Sequence, residues 1–389
     1  MLLLLRLSLL LRFEQAKIVL FFHTDIYLAC YNRKYKNLKR ESVIHMAKRR
    51  ILYCIDSLKM GGAERITVAL LPFMHDIEPI ICTLYDHDSP LTERLGDIKH
   101  IHLGASRLAD PMAIARFVNI LRQEKIDLIH AQLIHGTVMS SIAGMTTGTP
   151  LVITRHVVED DLSSKKKRRM VSAEKIASKR ADRIIYVSDA QRQRHLEYYD
   201  FDQDKTRVIY NGLDLSRFDG ESAPPMPVDG SRPIILMVGV VRPGKGHPVA
   251  IDAARLVPEA DFLLVGDGDD DLFEQYQAQA QDLDNVYFLG TRSDVPDLMM
   301  ACDLVILPSD IEALPTVLIE AGAASKASVA TRVGGIPEIV LDGETGILIE
   351  PRDSDGLAKA IQQLLDNPSL LAEMGQKARQ HIEMHFSLE

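Results

Sequence analysis

The sequence predicts an α/β protein with two Rossmann-like domains that face each other across a cleft. Its 389 residues are enough for two separate cores. From Arg50 onward, short β-branched runs alternate with amphipathic helical stretches, which is typical of parallel sheets with crossover helices. The alternation stops at Asp214 and restarts at Ile234. Ligands of such sheets bind beyond the carboxyl ends of the strands, so we expect the functional site in the cleft.

The first domain is predicted over residues 46–213. Its strands are predicted at ILYCIDSL, IEPIICTLY, DLIHAQ, PLVITRHVV, RIIYVS and RVIYNG. Its helices are predicted at ERITVALLPFM, MAIARFVNILRQE, HGTVMSSIAGMTTG and RRMVSAEKIASKRA. Because helices separate most of these strands, we expect a parallel sheet.

Residues 214–232 are predicted to be a linker, since they are rich in Pro, Gly and Asp and lack an apolar period. The second domain is predicted over residues 233–389. Its strands are predicted at IILMVGVV, DFLLVGDG, VYFLG, DLVILPS and SVAT, with helices at HPVAIDAARLV and DLFEQYQAQAQDL. Both domains therefore repeat the same strand–helix unit.

Residues 1–45 do not match the rest of the chain. Their apolar run, MLLLLRLSLLLRF, is too short to span a bilayer and is interrupted by Arg6 and Arg12. We expect an upstream extension outside the domains, with a natural start at Met46; a membrane-surface anchor is the alternative.

Composition narrows the class of protein. Hydrophobic residues make up 46% and charged residues 25%, as in globular proteins. The formal net charge of −9 argues against generic nucleic-acid binding. The four cysteines are scattered without a CxxC pair, so we expect reduced thiols rather than a zinc site or a disulfide framework.

Two glutamates, Glu312 and Glu320, flank a predicted helix start near the end of the chain. Pro315 lies between them, and proline is favoured at the first helical position. The helix would direct its unpaired N–H groups and positive dipole end at a neighbouring anion, which suits a phosphate or diphosphate. The alternative is a capped core helix with two solvated acids.

Two glycine-containing loops are further candidates for phosphate binding. Gly61 and Gly62, in KMGGAER, precede a predicted helix and would let backbone N–H groups approach a phosphate. Taken alone, the pair is more often a simple tight turn. Arg242 and Lys245, in VGVVRPGKGHP, follow a strand and would bind a diphosphate, bidentately in the case of arginine. For either cation taken singly, an exposed basic loop is the favoured interpretation.

His156, in TRHVVE, lies just past a predicted strand. It could be a general base, a ligand of a sugar hydroxyl or a hydrogen-bonded structural residue, and the structural role is favoured because no carboxylate lies at a diagnostic spacing. His130 and His135 raise the same question. The sequence contains no GxSxG elbow, no HExxH motif and no Walker A loop.

Taken together, these stretches resemble the retaining glycosyltransferases of the GT-B fold, in glycosyltransferase family 4. The resemblance covers most of residues 50–350, in the order of the family. The stretches that carry it are GGAER, ITRHV, VSDAQR, VIYNGLDLSRF, VGVVRPGKGH, VGDGD, FLG, DLVILPS, EALPTVLIEA, VGGIPEIV and DGETG.

The resemblance implies a nucleotide-sugar donor on the second domain and a sugar or lipid-linked acceptor on the first. It implies that Glu320 binds the ribose, Glu312 contacts the sugar hydroxyls, and Lys245 with Arg242 holds the diphosphate. His156 would lie near the reacting sugar. The further donor-binding positions it implies are Gly61, Gly62, Gly268, Val295, Ala313, Leu314, Thr316 and Val317.

The resemblance also implies a mechanism without a protein nucleophile, in which the departing diphosphate accepts the proton of the acceptor hydroxyl on the same sugar face. Lys245 and Arg242 would stabilise the charge that develops on the leaving group. No DxD-type ligand set is evident, and Asp267, Asp269, Asp270 and Asp271 are predicted to lie in a solvated loop. We therefore expect no metal and no cofactor.

Three departures from the family pattern stand out. Val240 occupies a position where the family often has arginine, which weakens the assignment of Arg242 relative to Lys245. The usual GxP before SVAT is replaced by Ser325, Lys326 and Ala327. The chain ends at HFSLE, where the family usually continues into a helix that crosses to the first domain, so we expect a truncated crossover helix.

A basic run opens the last predicted helix of the first domain. It is either a solvated face or a contact for anionic lipid headgroups, which would suit a lipid-linked acceptor. We expect a cytoplasmic enzyme of cell-surface polysaccharide, glycolipid or lipopolysaccharide biosynthesis, either free or at the inner face of the membrane. The run consists of Lys165, Lys166, Lys167, Arg168 and Arg169.

Two alternatives to an active glycosyltransferase remain from the sequence. One is a catalytically inactive GT-B module that binds a nucleotide. The other is an NAD(P)-dependent Rossmann oxidoreductase, although VGDGD lacks the third glycine of its fingerprint.

Overall fold

A computed structural model describes most of the chain after residue 47. The described residues are 48–59, 61–75, 77–85, 89, 91–156, 165–198, 201–220, 224 and 226–388, without the side chains of residues 165–167. The predicted extension over residues 1–45 lies outside them. The described chain divides into two compact units between Gly212 and Leu213.

Unit 1 is built on a parallel sheet of seven strands in the order β3-β2-β1-β4-β5-β6-β7. The strands are β1 Arg49–Ile55, β2 Ile77–Thr83, β3 Lys99–His102, β4 Leu128–Gln132, β5 Leu151–Arg155, β6 Arg183–Tyr186 and β7 Thr206–Val208. The helices are α1 Gly62–Leu70, α2 Pro111–Gln123, α3 Leu133–Thr147, α4 Lys165–Ser178 and α5 Asp189–Tyr198.

Unit 2 is built on a parallel sheet of six strands in the order β10-β9-β8-β11-β12-β13. The strands are β8 Ile234–Val238, β9 Asp261–Val265, β10 Val286–Gly290, β11 Leu304–Leu307, β12 Ser328–Thr331 and β13 Gly346–Ile349. The helices are α6 His247–Leu256, α7 Asp270–Gln279, α8 Val295–Ala301, α9 Thr316–Ala323, α10 Ile336–Ile339, α11 Ser354–Leu365 and α12 Pro368–His385.

Each unit has its own apolar core. In unit 1, residues such as Phe117 on α2 and Tyr186 on β6 are fully buried against the central strands. In unit 2, Phe262 on β9 and Ile306 on β11 are equally buried beneath α6 and α11. Burial on both faces explains why the central strands read as continuous apolar runs rather than as alternating ones.

The prediction of two Rossmann-like parallel sheets is confirmed. Sequence reasoning missed two strands, β3 and β13, and four helices, α5, α10, α11 and α12. The β3 edge strand, KHIH, is polar and incompletely buried, so no apolar run marks it. Helix α5, DAQRQRHLEY, carries few apolar residues and so has no clear stripe.

The segment predicted as a linker begins with ordered structure. Residues Leu215–Phe218 form a 3₁₀ turn in which the two end residues are buried. Oδ1 of Asp219 lies 2.7 Å from Nη2 of Arg379 on α12, and the two side chains form an ion pair. The start of this segment therefore packs on the last helix of unit 2.

The order of strands fixes where a ligand is expected in each unit. In both sheets the chain builds three strands outward from the middle and then returns to add strands on the other side. This reversal lies between β1 and β4 in unit 1 and between β8 and β11 in unit 2. The carboxyl ends of strands at such a switch point form a natural crevice.

Candidate functional site

The switch point of unit 2 brings together two of the predicted site residues. Lys245 lies in the loop after β8 and Glu312 in the loop after β11, and the Nζ of Lys245 donates a hydrogen bond of 2.6 Å to Oε1 of Glu312. The side chains are only 15% and 9% exposed. An ammonium group has three donors, so Lys245 can hold Glu312 and still donate to a ligand oxygen.

The loop after β8 is shaped by close backbone contact with the loop after β11. Gly246 has φ of +80°, and a Cβ there would lie 2.0 Å from the carbonyl oxygen of Pro308. The amide of Asp310 donates a 2.8 Å hydrogen bond to the carbonyl oxygen of Gly244. Glycine is therefore required at position 246 both for its conformation and for the contact, and the contact holds Lys245 in place.

A turn after β12 supports Glu312 from the other side. Gly334 has φ of +51°, and a Cβ there would lie 1.7 Å from the carbonyl oxygen of Glu312. The amide of Gly335 donates a 3.0 Å hydrogen bond to the carbonyl oxygen of Ala313. The backbone that carries Glu312, Ala313 and Leu314 is thus fixed by a neighbouring loop.

Helix α9 begins one residue later than the sequence predicts. Pro315 is the N-cap rather than the first helical residue, because its ψ of 113° is extended even though its ring-fixed φ of −74° suits a helix. Thr316 and Val317 form the first turn, which contains no acidic residue and no side-chain cap. Glu320, partly buried, follows one turn later in the same helix.

Helix α6 also begins at this switch point without a carboxylate of its own. Its N-cap is Gly246, with no side-chain cap, and its first turn contains no acidic residue. Two helix N-termini of unit 2 therefore begin in the loops that carry Lys245 and Glu312. Helix N-termini carry partial positive charge, so this part of unit 2 favours an anion.

The other predicted donor residues of unit 2 occupy different surroundings. Arg242 is exposed, whereas Lys245 is largely buried. Gly268 packs against the backbone of Val241, whose carbonyl oxygen would lie 2.2 Å from a Cβ at position 268. Val295 is the first residue of α8. The structure therefore groups Lys245 with Glu312 but leaves Arg242 facing solvent.

The predicted solvated loop of aspartates is partly wrong. Asp269 is the N-cap of α7, and its side chain accepts a 3.1 Å hydrogen bond from the amide of Leu272. Asp270 and Asp271 belong to the first turn of that helix, where acidic side chains complement the dipole. No cluster of His, Cys, Asp or Glu that could hold a metal ion occurs within the described residues.

In unit 1, His156 follows β5 and faces the neighbouring strand β4. Its Nε2 lies 2.5 Å from Oε1 of Gln132, the last residue of β4. Burial lowers the pKa of His156 to about 4, so the imidazole is neutral at pH 7. His130 is fully buried beside it and bonds Thr154, and burial lowers its pKa to about 3. His156 is thus a neutral hydrogen-bonding group.

A carboxyl group that sequence reasoning missed lies at the switch point of unit 1. Asp56 follows β1, and its Oδ1 accepts a 2.8 Å hydrogen bond from the amide of Gly136 in the first turn of α3. Desolvation raises the pKa of Asp56 to about 7 in spite of this hydrogen bond. The residue was hidden because ILYCIDSL was interpreted as one strand, whereas β1 ends at Ile55.

Gly61 precedes α1, as predicted, whereas Gly62 is the first residue of the helix, and an acidic side chain lies over Gly61. Gly61 is the N-cap, and a Cβ there would lie 2.2 Å from Oε2 of Glu64. A Cβ on Gly62 would meet nothing within 4 Å. Burial raises the pKa of Glu64. The N-terminus of α1 is therefore already faced by a carboxylate of its own helix.

Comparison with known proteins assigns both units to one class of enzyme. Residues 221–381 match the family model described as glycosyl transferases group 1. Residues 60–217 match the model of glycosyltransferase family 4. The chain belongs to glycosyltransferase family 4 and has the GT-B fold, as its sequence motifs predict. This membership favours a glycosyltransferase over an NAD(P)-dependent oxidoreductase.

Individual relatives agree with this assignment. The chain is 25% identical, over 85% of its length and 91% of the relative, to the Escherichia coli UDP-Gal:alpha-D-GlcNAc-diphosphoundecaprenol alpha-1,3-galactosyltransferase. It is 29% identical, over 82% of its length and 89% of the relative, to an uncharacterized glycosyltransferase of Methanocaldococcus jannaschii. The crystal structure of Anabaena HepE in complex with UDP-glucose has a TM-score of 0.75 at 26% identity, covering 87% of this chain and 96% of HepE.

Proposed function

We propose that the protein is a retaining glycosyltransferase that transfers a hexose from a UDP-sugar to a hydroxyl of an acceptor, with the donor held by unit 2. The observation that carries the proposal is the Lys245–Glu312 pair, with the uncapped N-termini of α6 and α9 in the same two loops. A diphosphate matches this combination of a cation and helix amides. The choice of UDP draws on HepE, which binds UDP-glucose, and on the UDP-Gal-dependent relative.

Each donor residue has a distinct proposed role. Lys245 binds the diphosphate and stabilises the charge that grows on it as the glycosidic bond breaks. The amides of Thr316 and Val317 bind the same oxygens, and Glu312 orients the sugar hydroxyls while it holds Lys245. Glu320 binds the ribose. Arg242, which is exposed, closes on the diphosphate from solvent.

Retention follows from where the acceptor proton goes. The acceptor hydroxyl attacks the anomeric carbon from the face that the diphosphate leaves, and a diphosphate oxygen takes the hydroxyl proton. The new glycosidic bond and the departing UDP account for all atoms. No protein nucleophile takes part, and charge on the leaving group is met by Lys245 and helix amides, so we propose that no metal ion is required.

Transfer assays test this proposal. A thermal-shift screen of UDP-, GDP- and ADP-sugars selects the donor, and the UDP-sugars are expected to raise the melting temperature most. NMR of the product then reports the anomeric configuration, which is expected to match that of the donor. Inversion, or turnover that a chelator abolishes and Mg²⁺ restores, would contradict the mechanism. Binding of the donor without transfer to any acceptor would instead indicate an inactive nucleotide-binding module.

Separate substitutions of Glu312 and Glu320 test whether the two glutamates have different roles. Glu320→Ala is expected to weaken nucleotide binding, seen as a raised KM for the donor. Glu312→Ala is expected to lower kcat, because it disturbs both the sugar contact and Lys245. The same kinetic signature for both variants would contradict the division of roles.

The acceptor is proposed to be lipid-linked, as in cell-surface polysaccharide or glycolipid synthesis, with the enzyme at the inner face of the cytoplasmic membrane. The support is the relative whose acceptor is attached to diphosphoundecaprenol, together with exposed Arg168 and Arg169 on α4. The side chains of Lys165, Lys166 and Lys167 lie outside the described residues. No helix in the described part of the chain is long and apolar enough to cross a membrane. Flotation with anionic liposomes, lost when the five basic residues become glutamine, tests this contact.

A further inference from the structure

Two histidines lie about one helical turn apart near the end of α12, in unit 2. His381 is half-buried and His385 is exposed. They follow the i, i+4 spacing, so their side chains project from the same face of the helix. Their ring centroids are 4.7 Å apart, with an angle of 50° between the ring planes. The proposed function gives neither residue a role.

The separation of the two rings matches that of imidazoles that share a metal ion. With metal–nitrogen bonds of about 2.0–2.1 Å and angles of about 90–109° at the metal, two ligating rings have centroids about 4.5–5.2 Å apart. The observed separation of 4.7 Å lies within this range. The distance between the rings is therefore already that of a chelating pair.

The hydrogen bond of His381 leaves its other ring nitrogen available to a metal. Nε2 of His381 lies 3.0 Å from the carbonyl oxygen of Glu338 on α10. A carbonyl oxygen can only accept a hydrogen bond, so Nε2 carries the proton and, in the neutral ring, Nδ1 carries the lone pair. Metal-binding histidines commonly donate their other N–H to a backbone carbonyl in this way, which fixes the tautomer and the orientation of the ring. His381 thus has the supporting hydrogen bond of a metal ligand.

The surroundings of the pair favour a cation. Helix α12 ends at His385, and the C-terminus of a helix carries partial negative charge from carbonyl groups without an intrahelical partner. Arg379 precedes His381 on the same helix, but it forms ion pairs of 2.7 Å with both Asp219 and Glu383. Its positive charge is therefore compensated. The side chain of His385 makes no hydrogen bond with the part of the chain that the structure describes.

The nitrogen ligands select the class of ion. Imidazole suits Zn²⁺, Cu²⁺ and Ni²⁺, whereas Mg²⁺ and Ca²⁺ prefer oxygen ligands. No group of three or more His, Cys, Asp or Glu that could hold a metal ion occurs among the described residues. Within that part of the chain, the pair is therefore a two-ligand site, in which water completes the coordination shell.

We propose that His381 and His385 bind one late divalent transition-metal ion, such as Zn²⁺, through Nδ1 of His381 and a ring nitrogen of His385. A metal on Nδ1 makes the N–H on Nε2 a stronger donor, so the ion strengthens the hydrogen bond between α12 and α10. Helix α10 follows the turn of Gly334 and Gly335 that supports Glu312. The ion stabilises unit 2 and takes no part in glycosyl transfer, so this inference does not depend on the proposed function.

Calorimetric titration of Zn²⁺ into the metal-free full chain tests the inference. We expect saturable binding, which His381→Gln and His385→Gln should each weaken at least about tenfold. Glutamine at position 381 can still donate a hydrogen bond to the carbonyl of Glu338 through its side-chain amide, so this variant removes the ring nitrogen and keeps the contact between the helices. His75→Gln, at an exposed position of unit 1, is the matched control and should bind Zn²⁺ as the wild type does.

Chemical modification of the wild type locates the site. Diethyl pyrocarbonate acylates accessible imidazole nitrogens, and mass spectrometry of the peptides reports each histidine. Zn²⁺ should protect His381 and His385 but not His75, whereas Mg²⁺ should protect none of them. Zn²⁺ should also raise the melting temperature of the wild type more than that of either variant.

Three results would overturn the inference. The first is the absence of saturable Zn²⁺ binding by the wild type. The second is equal affinity of the wild type and either variant, because a chelating pair needs both rings. The third is equal modification of His381 and His385 with and without Zn²⁺, and this result decides the matter if a variant does not fold.

Discussion

The two units share the same strand topology around the switch point, but they differ in the charges that lie beside the helix N-termini there. In unit 1, the helices that begin beside the switch point face carboxyl groups, α3 facing Asp56 and α1 facing Glu64. In unit 2, α6 and α9 begin without any acidic residue in the first turn, and Lys245 lies in the loop that leads into α6. The strand order sets the location of a site, and the side chains after the strands set the charge of its ligand. The switch point of unit 2 therefore favours an anion, whereas in unit 1 both helix N-termini already face carboxyl groups.

The largest expected effect comes from removing the cation of unit 2. Lys245→Met should lower kcat by about 10²–10³, as for other groups that stabilise developing charge. It should also destabilise the fold by about 3–5 kcal/mol, because Glu312 is left buried and unpaired. Activity assays and urea unfolding measure the two effects. Lys359→Met, at an exposed position on α11, is the control and should change neither.

The next effect concerns the carboxyl group of unit 1. Desolvation raises the pKa of Asp56 from 3.8 to about 7. Between these two pH values the folded state therefore holds a proton that the unfolded state has released. The resulting loss of stability is absent below pH 3.8, grows as the pH rises and is complete above about pH 7. Asp56→Asn should therefore gain about 2–3 kcal/mol relative to the wild type between pH 5 and pH 8.

Several other ionisable groups face Asp56, so the test needs a control. Glu64 and Glu174 add to the rise in its pKa, and Asp56 in turn raises the pKa values of Tyr85 and Cys54. The control is Asp97→Asn, at an exposed position of unit 1. Its urea unfolding over the same pH range measures the changes that the loss of any carboxylate causes. If the stability of Asp56→Asn relative to the wild type does not change with pH, the carboxyl group is not desolvated as described.

Substitutions of two neighbouring glycines test how much the contact between the loops after β8 and β11 contributes in unit 2. Both Gly244 and Gly246 have positive φ, so alanine should cost about 1–2 kcal/mol at each. A Cβ at position 246 also meets the carbonyl of Pro308 at 2.0 Å, whereas one at position 244 meets only the Cβ of Asp310, at 3.9 Å. Gly246→Ala should therefore unfold more easily and bind UDP more weakly than Gly244→Ala. If the two variants lose the same stability in calorimetry and the same UDP affinity in titration, the contact does not hold the loop.

The smallest expected effect on the fold comes from the glycine pair of unit 1. A Cβ on Gly62 meets nothing within 4 Å, so Gly62→Ala should change the free energy of unfolding by less than about 0.5 kcal/mol. If the backbone there approaches a phosphate, the added methyl group should still lower kcat/KM by about tenfold. Unchanged kcat/KM would indicate that the glycines form only a turn.

These features differ in how far the sequence predicts them. The central strands were predictable because burial on both faces leaves continuous β-branched runs, whereas β3 is a polar edge strand without such a run. Lys245 and Glu312 were each identified from local motifs. Their pairing could not be, because it joins loops 67 residues apart through the order of the strands.

Two further differences have local physical causes. Asp56 was read as part of a strand, since nothing in ILYCIDSL marks the strand end before the aspartate. Pro315 was placed inside α9 because the ring fixes φ but leaves ψ open, and an extended ψ makes it the cap. Sequence patterns thus locate the loops, while desolvation and pairing depend on the packed structure.

The most direct test of whether unit 2 binds the diphosphate of the donor is calorimetric titration. UDP and uridine are each titrated into the wild type and into Lys245→Met. The wild type is expected to bind UDP at least about 100-fold more tightly than uridine, because the diphosphate alone meets the ammonium group and the helix amides. Lys245→Met should reduce this ratio at least about tenfold and leave the affinity for uridine unchanged. A ratio that is the same in both proteins would contradict the assignment of the diphosphate to Lys245.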